Sequence, residues 1–264
     1  GITGLGAIYH TLNPRLFVEQ LDYIINHAEN KFIISDISFV EILENIHDKI
    51  PNVQGFIFLC EKSDLPESKL KNVYSYEELV NSQDDNFEWV KLEEDDACGL
   101  CYTSGTTGNP KGVLYSHRSN VLHTLVANSA DAMGIKSTDV VMPVVPMFHA
   151  NAWGIPYVAT MIGAKLVLPG RNLDGKSIYN LMEREKVTFT AAVPTIWLML
   201  FQFLETEKKK LNHLKSCAIG GSACPKVMIE NFAEKHDVNV IHAWGMTETS
   251  PLGTVNRPLN KHKE

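Results

Sequence analysis

Long apolar runs are missing from this sequence. Its most hydrophobic stretches, 56–59 and 140–148, are too short or too interrupted by proline to span a bilayer, and the apolar segment 195–204 turns charged at Glu205. No transmembrane helix is therefore expected. Positive charge is scarce as well: 24 lysines and arginines face 31 aspartates and glutamates, for a formal net charge of −7. That balance excludes the basic footprint of a nucleic-acid binder, so a nucleotide bound here would be a small ligand. The five cysteines, Cys60, Cys98, Cys101, Cys217 and Cys224, are odd in number and lack framework spacing. They are expected to be reduced thiols of a cytoplasmic protein. Cys98 and Cys101 form a C-x-x-C pair, yet zinc needs a second pair of ligands and a redox pair needs a helix N-terminus. They read as core cysteines of a buried strand, three apart and so on opposite faces. No internal repeat is present, which excludes solenoids. The start at Gly1 has no basic segment of a secretory signal, and the chain is expected to be cut from a longer one.

What is present is the composition of an ordinary globular protein, 44% hydrophobic and 21% charged over 264 residues, enough for one large domain or two smaller ones. An apolar helical start is expected before the turn at Asn13-Pro14. A helix is expected over 17–29, where Leu21, Ile24, Ile25 and Ala28 recur at one-face spacing. A strand over 31–35, a helix over 38–47 and a strand over 55–59 follow. Residues 61–96 are polar and acidic and read as a solvated connection with one short helix near 76–80, ending where a buried strand begins at Ala97. From residue 138 the alternation is regular. Strands are expected over 139–145, 165–168, 188–193, 215–219 and 238–243, with helices over 152–162, 174–186, 194–206 and 225–236. Pro194 and Pro225 stand where a first helical turn tolerates proline. Strands separated by helices of this length imply a largely parallel sheet. Two α/β subdomains are expected, residues 1–127 and 137–264.

The strand at 97–103 runs into Thr103-Ser104-Gly105-Thr106-Thr107-Gly108-Asn109-Pro110-Lys111-Gly112. Its glycines let backbone N–H groups approach an anion, its hydroxyls add hydrogen bonds, and Lys111 adds a point charge, as a polyphosphate requires. A Walker A loop is excluded, because Pro110 stands where that motif needs glycine and Gly112 where it needs Ser or Thr.

This string resembles the phosphate loop of the adenylate-forming superfamily of acyl-CoA synthetases, adenylation domains and beetle luciferases. Three further segments resemble that family in the family's order: Pro146-Met147-Phe148-His149, Gly220-Gly221-Ser222-Ala223 and Trp244-Gly245-Met246-Thr247-Glu248. His10-Thr11-Leu12-Asn13-Pro14-Arg15 and the stretch 145–153 look most like bacterial medium- and long-chain fatty-acyl-CoA synthetases.

The resemblance implies a layered αβαβα fold with two mostly parallel sheets flanked by helices, the large N-terminal domain of such an enzyme. It implies ATP, Mg²⁺ and coenzyme A as cofactors or cosubstrates and a fatty acid as substrate, and it leaves room for a homodimer of the full-length parent. By the same resemblance Thr103, Ser104, Gly105, Thr106, Thr107, Gly108 and Lys111 would hold the β- and γ-phosphates. Thr103 and Glu248 would hold the metal, and Thr247 would bond the α-phosphate. Gly221, Ser222, Ala223, Trp244 and Gly245 would enclose adenine, with tryptophan where the family more often has tyrosine. His149 would shape the carboxylate and acyl entrance, and Trp153 could line an acyl tunnel. The ribose-binding aspartate, the hinge and the C-terminal lid domain with its catalytic lysine would lie beyond Glu264, so the fragment alone is expected to be inactive or very weak. Two other readings stay open: a non-catalytic nucleotide- or acyl-binding module, and an adenylating enzyme that delivers to a carrier-protein thiol.

Overall fold

The computed structural model describes residues 1–103 and 108–256. Its contacts divide the chain into two compact units, Gly1–Leu92 with Cys98–Leu114, and Glu93–Ala97 with Tyr115–Glu264. The sequence places 115–127 in the first subdomain. In the structure these residues fall in the second unit, because the helix they form packs on a helix of that unit.

In the first unit the expected helical start is a single 3₁₀ turn, Ile2–Leu5, followed by a two-residue strand β1 (Tyr9–His10). Helix α1 (Val18–His27) buries Leu21, Ile24 and Ile25, three of the residues whose spacing announced it. Strand β2 (Phe32–Ser35), helix α2 (Val40–Ile46) and strand β3 (Gly55–Phe58) follow. Strand β4 (Val73–Ser75), unforeseen within the acidic connection, completes a parallel sheet β2-β3-β4. It is short, and only Ser75 is wholly buried, so no alternating pattern marks it. The Ser75 hydroxyl donates to the Cys60 carbonyl at 2.7 Å and accepts the Glu78 N–H at 3.1 Å, which starts helix α3 (Tyr76–Asn81). Leu21, Ile25, Leu43, Ile46, Phe56 and Phe58 form the core between helices and sheet. Strand β5 (Ala97–Tyr102) stands between β1 and strand β6 (Gly112–Ser116) in a second sheet. Cys98 and Cys101 are buried in β5.

The second unit begins at the end of β6 with helix α4 (His117–Ala127). Its start is set by a reciprocal cap: Ser116 Oγ accepts the Ser119 N–H at 3.1 Å, and Ser119 Oγ accepts the Ser116 N–H at 3.0 Å. Strand β7 (Val140–Pro143), a turn α5 (Ala150–Trp153), helix α6 (Ile155–Ile162), strand β8 (Lys165–Leu166) and helix α7 (Gly175–Glu185) follow. Strand β9 (Phe189–Ala192), helix α8 (Pro194–Thr206), strand β10 (Ser216–Ile219), helix α9 (Lys226–Glu230), strand β11 (Asn239–Gly245) and strand β12 (Leu252–Val255) complete it. The helix expected over 225–236 continues past α9 as a π-helical turn, Asn231–Lys235. The one expected over 152–162 is broken at Gly154.

These strands form a six-stranded sheet in the order β12-β11-β10-β9-β7-β8, parallel except for β12. Side chains alternate across it. Met142, Ala192, Cys217 and Ile219 face Trp197, Leu200 and Met182 of α8 and α7. Val141, Phe189, Ala191 and Ala218 face Ile155, Val158 and Ala159 of α6 and Ala127 of α4. Both faces of the parallel sheet are covered, as such sheets require. Among the described residues no helix is long and apolar enough to cross a membrane.

Candidate active site

In the first unit the described part of the loop is its neck. Thr103 N–H donates to the Lys111 carbonyl at 3.0 Å, and Lys111 N–H donates to Thr103 Oγ1 at 3.3 Å. Thr103 and Lys111 thus close the loop, while Ser104, Gly105, Thr106 and Thr107 lie outside the described residues. Lys111 is exposed and forms no ion pair among the described residues, and a Cβ at Gly108 would meet nothing within 4 Å. A cluster that sequence reading missed braces the strand end below the neck. Tyr102 Oη lies 2.6 Å from His27 Nδ1, the Tyr102 ring is 5.2 Å from that of His10, and His10 Nδ1 donates to Asn30 Oδ1 at 3.0 Å. Burial lowers the His10 pKa and raises that of Tyr102, so both stay neutral near pH 7.

In the second unit the loops after β7, β9, β10 and β11 share one edge, because these four strands are parallel and in register. It is the carboxyl edge, where open α/β sheets bind ligands. After β7 comes exposed His149, at the mouth of α5. The four non-glycine residues of α5, Ala150, Asn151, Ala152 and Trp153, have φ of 42°, 55°, 52° and 57°, followed by Gly154 at 72°. A left-handed turn of L-residues costs about 1–2 kcal/mol per residue, and strain of this kind clusters at functional sites. It also turns the Trp153 indole onto the loop after β10, where a Cβ on Gly220 would lie 3.3 Å from the ring and 3.0 Å from the Ala243 carbonyl. Gly221, with φ of 78°, opens the exposed Gly221, Ser222 and Ala223 segment, where backbone is accessible.

Strand β11 ends in Trp244 and Gly245. A Cβ at Gly253 on β12 would lie 2.6 Å from the Trp244 ring, so one face of the indole rests on Gly253 while the residue remains 56% exposed. An indole supported on one face and open on the other is a stacking platform. The turn Thr247–Thr249 follows, and in it Glu248 is exposed and makes no hydrogen bond or ion pair among the described residues. Among those residues no group of three His, Cys, Asp or Glu side chains could cage a metal. A lone carboxylate fits a hard cation that keeps waters and takes phosphate oxygens, as Mg²⁺ does. A separate cavity of about 390 Å³, lined by Phe201, Lys208, Lys210 and His236 among others, opens between the end of α8 and the π-helical turn before β11, and shares no residue with the carboxyl-edge loops.

Two side chains of the β6–α4 segment reach the Thr247 turn. Tyr115 Oη donates to the Thr247 carbonyl at 2.7 Å, and Leu252 N–H donates to His123 Nε2 at 3.0 Å. Burial pushes the His123 pKa down to about 4 from 6.5. A histidine depressed in the fold contributes stability that is complete above the unfolded value and lost as pH falls from about 6.5 towards 4, because the unfolded chain takes up the proton first. The span corresponds to about 3 kcal/mol at full burial and about 2 kcal/mol for this partly exposed ring. The thermal midpoint of the chain is accordingly expected to fall between pH 7.5 and 5 more steeply than that of His123→Gln; parallel pH profiles would refute it.

A family model described as AMP-binding enzyme matches residues 1–264. The medium-chain-fatty-acid–CoA ligase of Ectopseudomonas oleovorans is 47% identical over 261 residues, covering 99% of this chain and 48% of that protein. The 3-methylmercaptopropionyl-CoA ligase of Ruegeria pomeroyi is also 47% identical, over 99% of this chain and 49% of that protein. Among solved structures, the anthranilate CoA ligase AuaEII in complex with anthranoyl-AMP superposes with a TM-score of 0.87 at 23% identity, over 97% of this chain and 49% of that one, which is a likeness of fold. The chain spans about half the length of the curated relatives it matches.

Proposed function

The chain belongs to the AMP-binding enzyme family, and from that premise we propose that its parent protein is an AMP-forming acid–thiol ligase converting a fatty acid to its acyl-CoA, with this chain supplying the ATP- and acyl-binding part. The observation that carries the reading is the carboxyl edge of the six-stranded sheet, where the Trp244 platform ends one strand, Glu248, without a partner among the described residues, follows it, and Gly221, Ser222 and Ala223 follow its neighbour. Trp244 stacks adenine against the Gly221–Ala223 backbone, Thr247 bonds the α-phosphate, and Thr103 and Lys111 hold the neck of the β,γ-phosphate loop. A carboxylate oxygen of the acid attacks the α-phosphorus, and the bond to pyrophosphate breaks. The coenzyme A sulfur then attacks the acyl carbonyl, the bond to AMP breaks, and the thiol proton leaves to solvent. These residues act by positioning and charge neutralisation. Glu248 and Thr103 would hold Mg²⁺, which would supply neutralisation of phosphate charge. His149 and Trp153 border the acyl entrance. The odd count of five cysteines without framework spacing supports a cytoplasmic setting.

A second substrate class has equal support in identity, since two relatives, at 47% and 48% identity, are named for a short sulfur-bearing acid. The deciding experiment is pyrophosphate release by the full-length parent across acids from acetate to palmitate, with 3-methylmercaptopropionate included. Release that requires both acid and MgATP, peaks at medium or long chains and yields acyl-CoA on adding coenzyme A is expected. A peak at the sulfur acid selects the second class, transfer only to a carrier protein makes the parent an adenylating enzyme of another type, and no acid-dependent release overturns the ligase reading.

A further inference from the structure

The turn bearing Thr247 and Glu248 lies at the tip of the β11–β12 hairpin, at the edge of the six-stranded sheet. Its own hydrogen bonds close it on itself: Met246 N–H to the Pro251 carbonyl at 3.0 Å, and Thr249 N–H to the Met246 carbonyl at 3.0 Å. Among the described residues β12 pairs with no strand besides β11. Leu252 and Val255 seat the arm of β12 on the core and β11 pairs with β10, but the exposed tip bearing Glu248 lies beyond those anchors, and a metal-binding carboxylate needs placement within about 0.5 Å.

The hairpin is attached on both sides of Glu248. One residue before it, the Thr247 carbonyl accepts from Tyr115 Oη at 2.7 Å, and Tyr115 is buried. Four residues after it, Leu252 N–H donates to His123 Nε2 at 3.0 Å. Both side chains come from one continuous piece of structure, the end of β6 and helix α4, joined by the Ser116–Ser119 cap. That piece is tied down independently: His117 N–H donates to the Asp96 carbonyl at 3.0 Å, Arg118 pairs with Glu94, and α4 packs on α6. The His123 ring is wedged as well, since a Cβ at Gly154 would lie 2.9 Å from its Cε1.

We propose that Tyr115 and His123 form a two-point clamp that holds the Thr247–Glu248 turn in place, making them positioning residues for MgATP that act through the turn. The clamp's catalytic consequence rests on the reading of Glu248 as the metal carboxylate; its structural consequence does not. One hydrogen bond lost at one jaw leaves the turn attached at the other, so single variants are expected to loosen the turn without unfolding the unit.

The test uses Tyr115→Phe, His123→Leu and His123→Gln, the last retaining an acceptor oxygen. Hydrogen exchange of the chain is read at the backbone amides of 246–255. Exchange there is expected to accelerate about tenfold in Tyr115→Phe and His123→Leu, with the β9 and β10 amides unchanged and His123→Gln close to wild type. In the full-length parent the same two variants are expected to raise the half-saturating Mg²⁺ concentration about five- to tenfold and leave KM for the acid unchanged, again with recovery in His123→Gln. Unchanged exchange in both variants, or equal damage in His123→Leu and His123→Gln, overturns the clamp. Faster exchange with unaltered Mg²⁺ dependence in an active parent overturns its catalytic consequence. A wild-type parent without MgATP-dependent release refutes the ligase reading, and exchange still decides the clamp.

Discussion

Gly245→Ala is expected to reduce MgATP-dependent pyrophosphate release by the parent at least about 100-fold while the six-stranded sheet stays folded. The cause is close approach: a Cβ on Gly245 would lie 2.1 Å from the Pro251 carbonyl oxygen and 2.9 Å from its carbon. Both are backbone atoms, so no rotamer change makes room. The strand register already shifts between Trp244 and Gly245, and the added methyl would drive the two arms of the hairpin apart there. That movement stretches the Met246 N–H to Pro251 carbonyl bond of 3.0 Å and displaces Trp244 on one side and Glu248 on the other. A displacement of about 1 Å in positioning groups is worth about two orders of magnitude in rate. The measurement is kcat/KM for MgATP beside thermal unfolding of the same sample; a value within about threefold of wild type would sink the argument.

How much of this was legible in the sequence depends on whether a residue's role is local. Helix α1 was readable because Leu21, Ile24 and Ile25 meet on one face whatever they pack against, and each is buried. The parallel strands of the second unit were readable as short apolar runs between helices. Strands β1, β4 and β12 were not, being two to four residues long and only partly buried. The left-handed turn Ala150–Trp153 is invisible to pattern reading, because alanine and tryptophan give no signal for positive φ. The site divides in the same way. Gly220, Gly221 and Gly245 sit in strings whose glycines serve close approach, and the structure supplies the neighbours that require them. Tyr115 and His123 were passed over, since their partners Thr247 and Leu252 lie 132 and 129 residues further along the chain. Only the folded chain brings them to the turn.

Glu248→Gln and Lys111→Ala are expected to separate two kinds of charge that the reading assigns to ATP. Glu248 is exposed with no partner among the described residues, so its carboxylate is not engaged in holding the fold. Glutamine keeps its shape and removes its charge. The expected result is a kcat lower by about 10²–10³ and a raised requirement for Mg²⁺, the loss typical of removing one preorganised charge-stabilising group. Lys111 is equally exposed, beside a neck closed by backbone and hydroxyl bonds to Thr103 that alanine leaves intact. Its loss should raise KM for ATP about tenfold, the weight of a charge-assisted contact, without altering the Mg²⁺ requirement. Because both side chains are exposed and neither is paired among the described residues, both variants should unfold within about 0.5 kcal/mol of wild type. Steady-state kinetics over a grid of ATP and Mg²⁺ concentrations reads both effects. If the two variants shift the same parameter by the same factor, Glu248 and Lys111 do not hold different parts of MgATP.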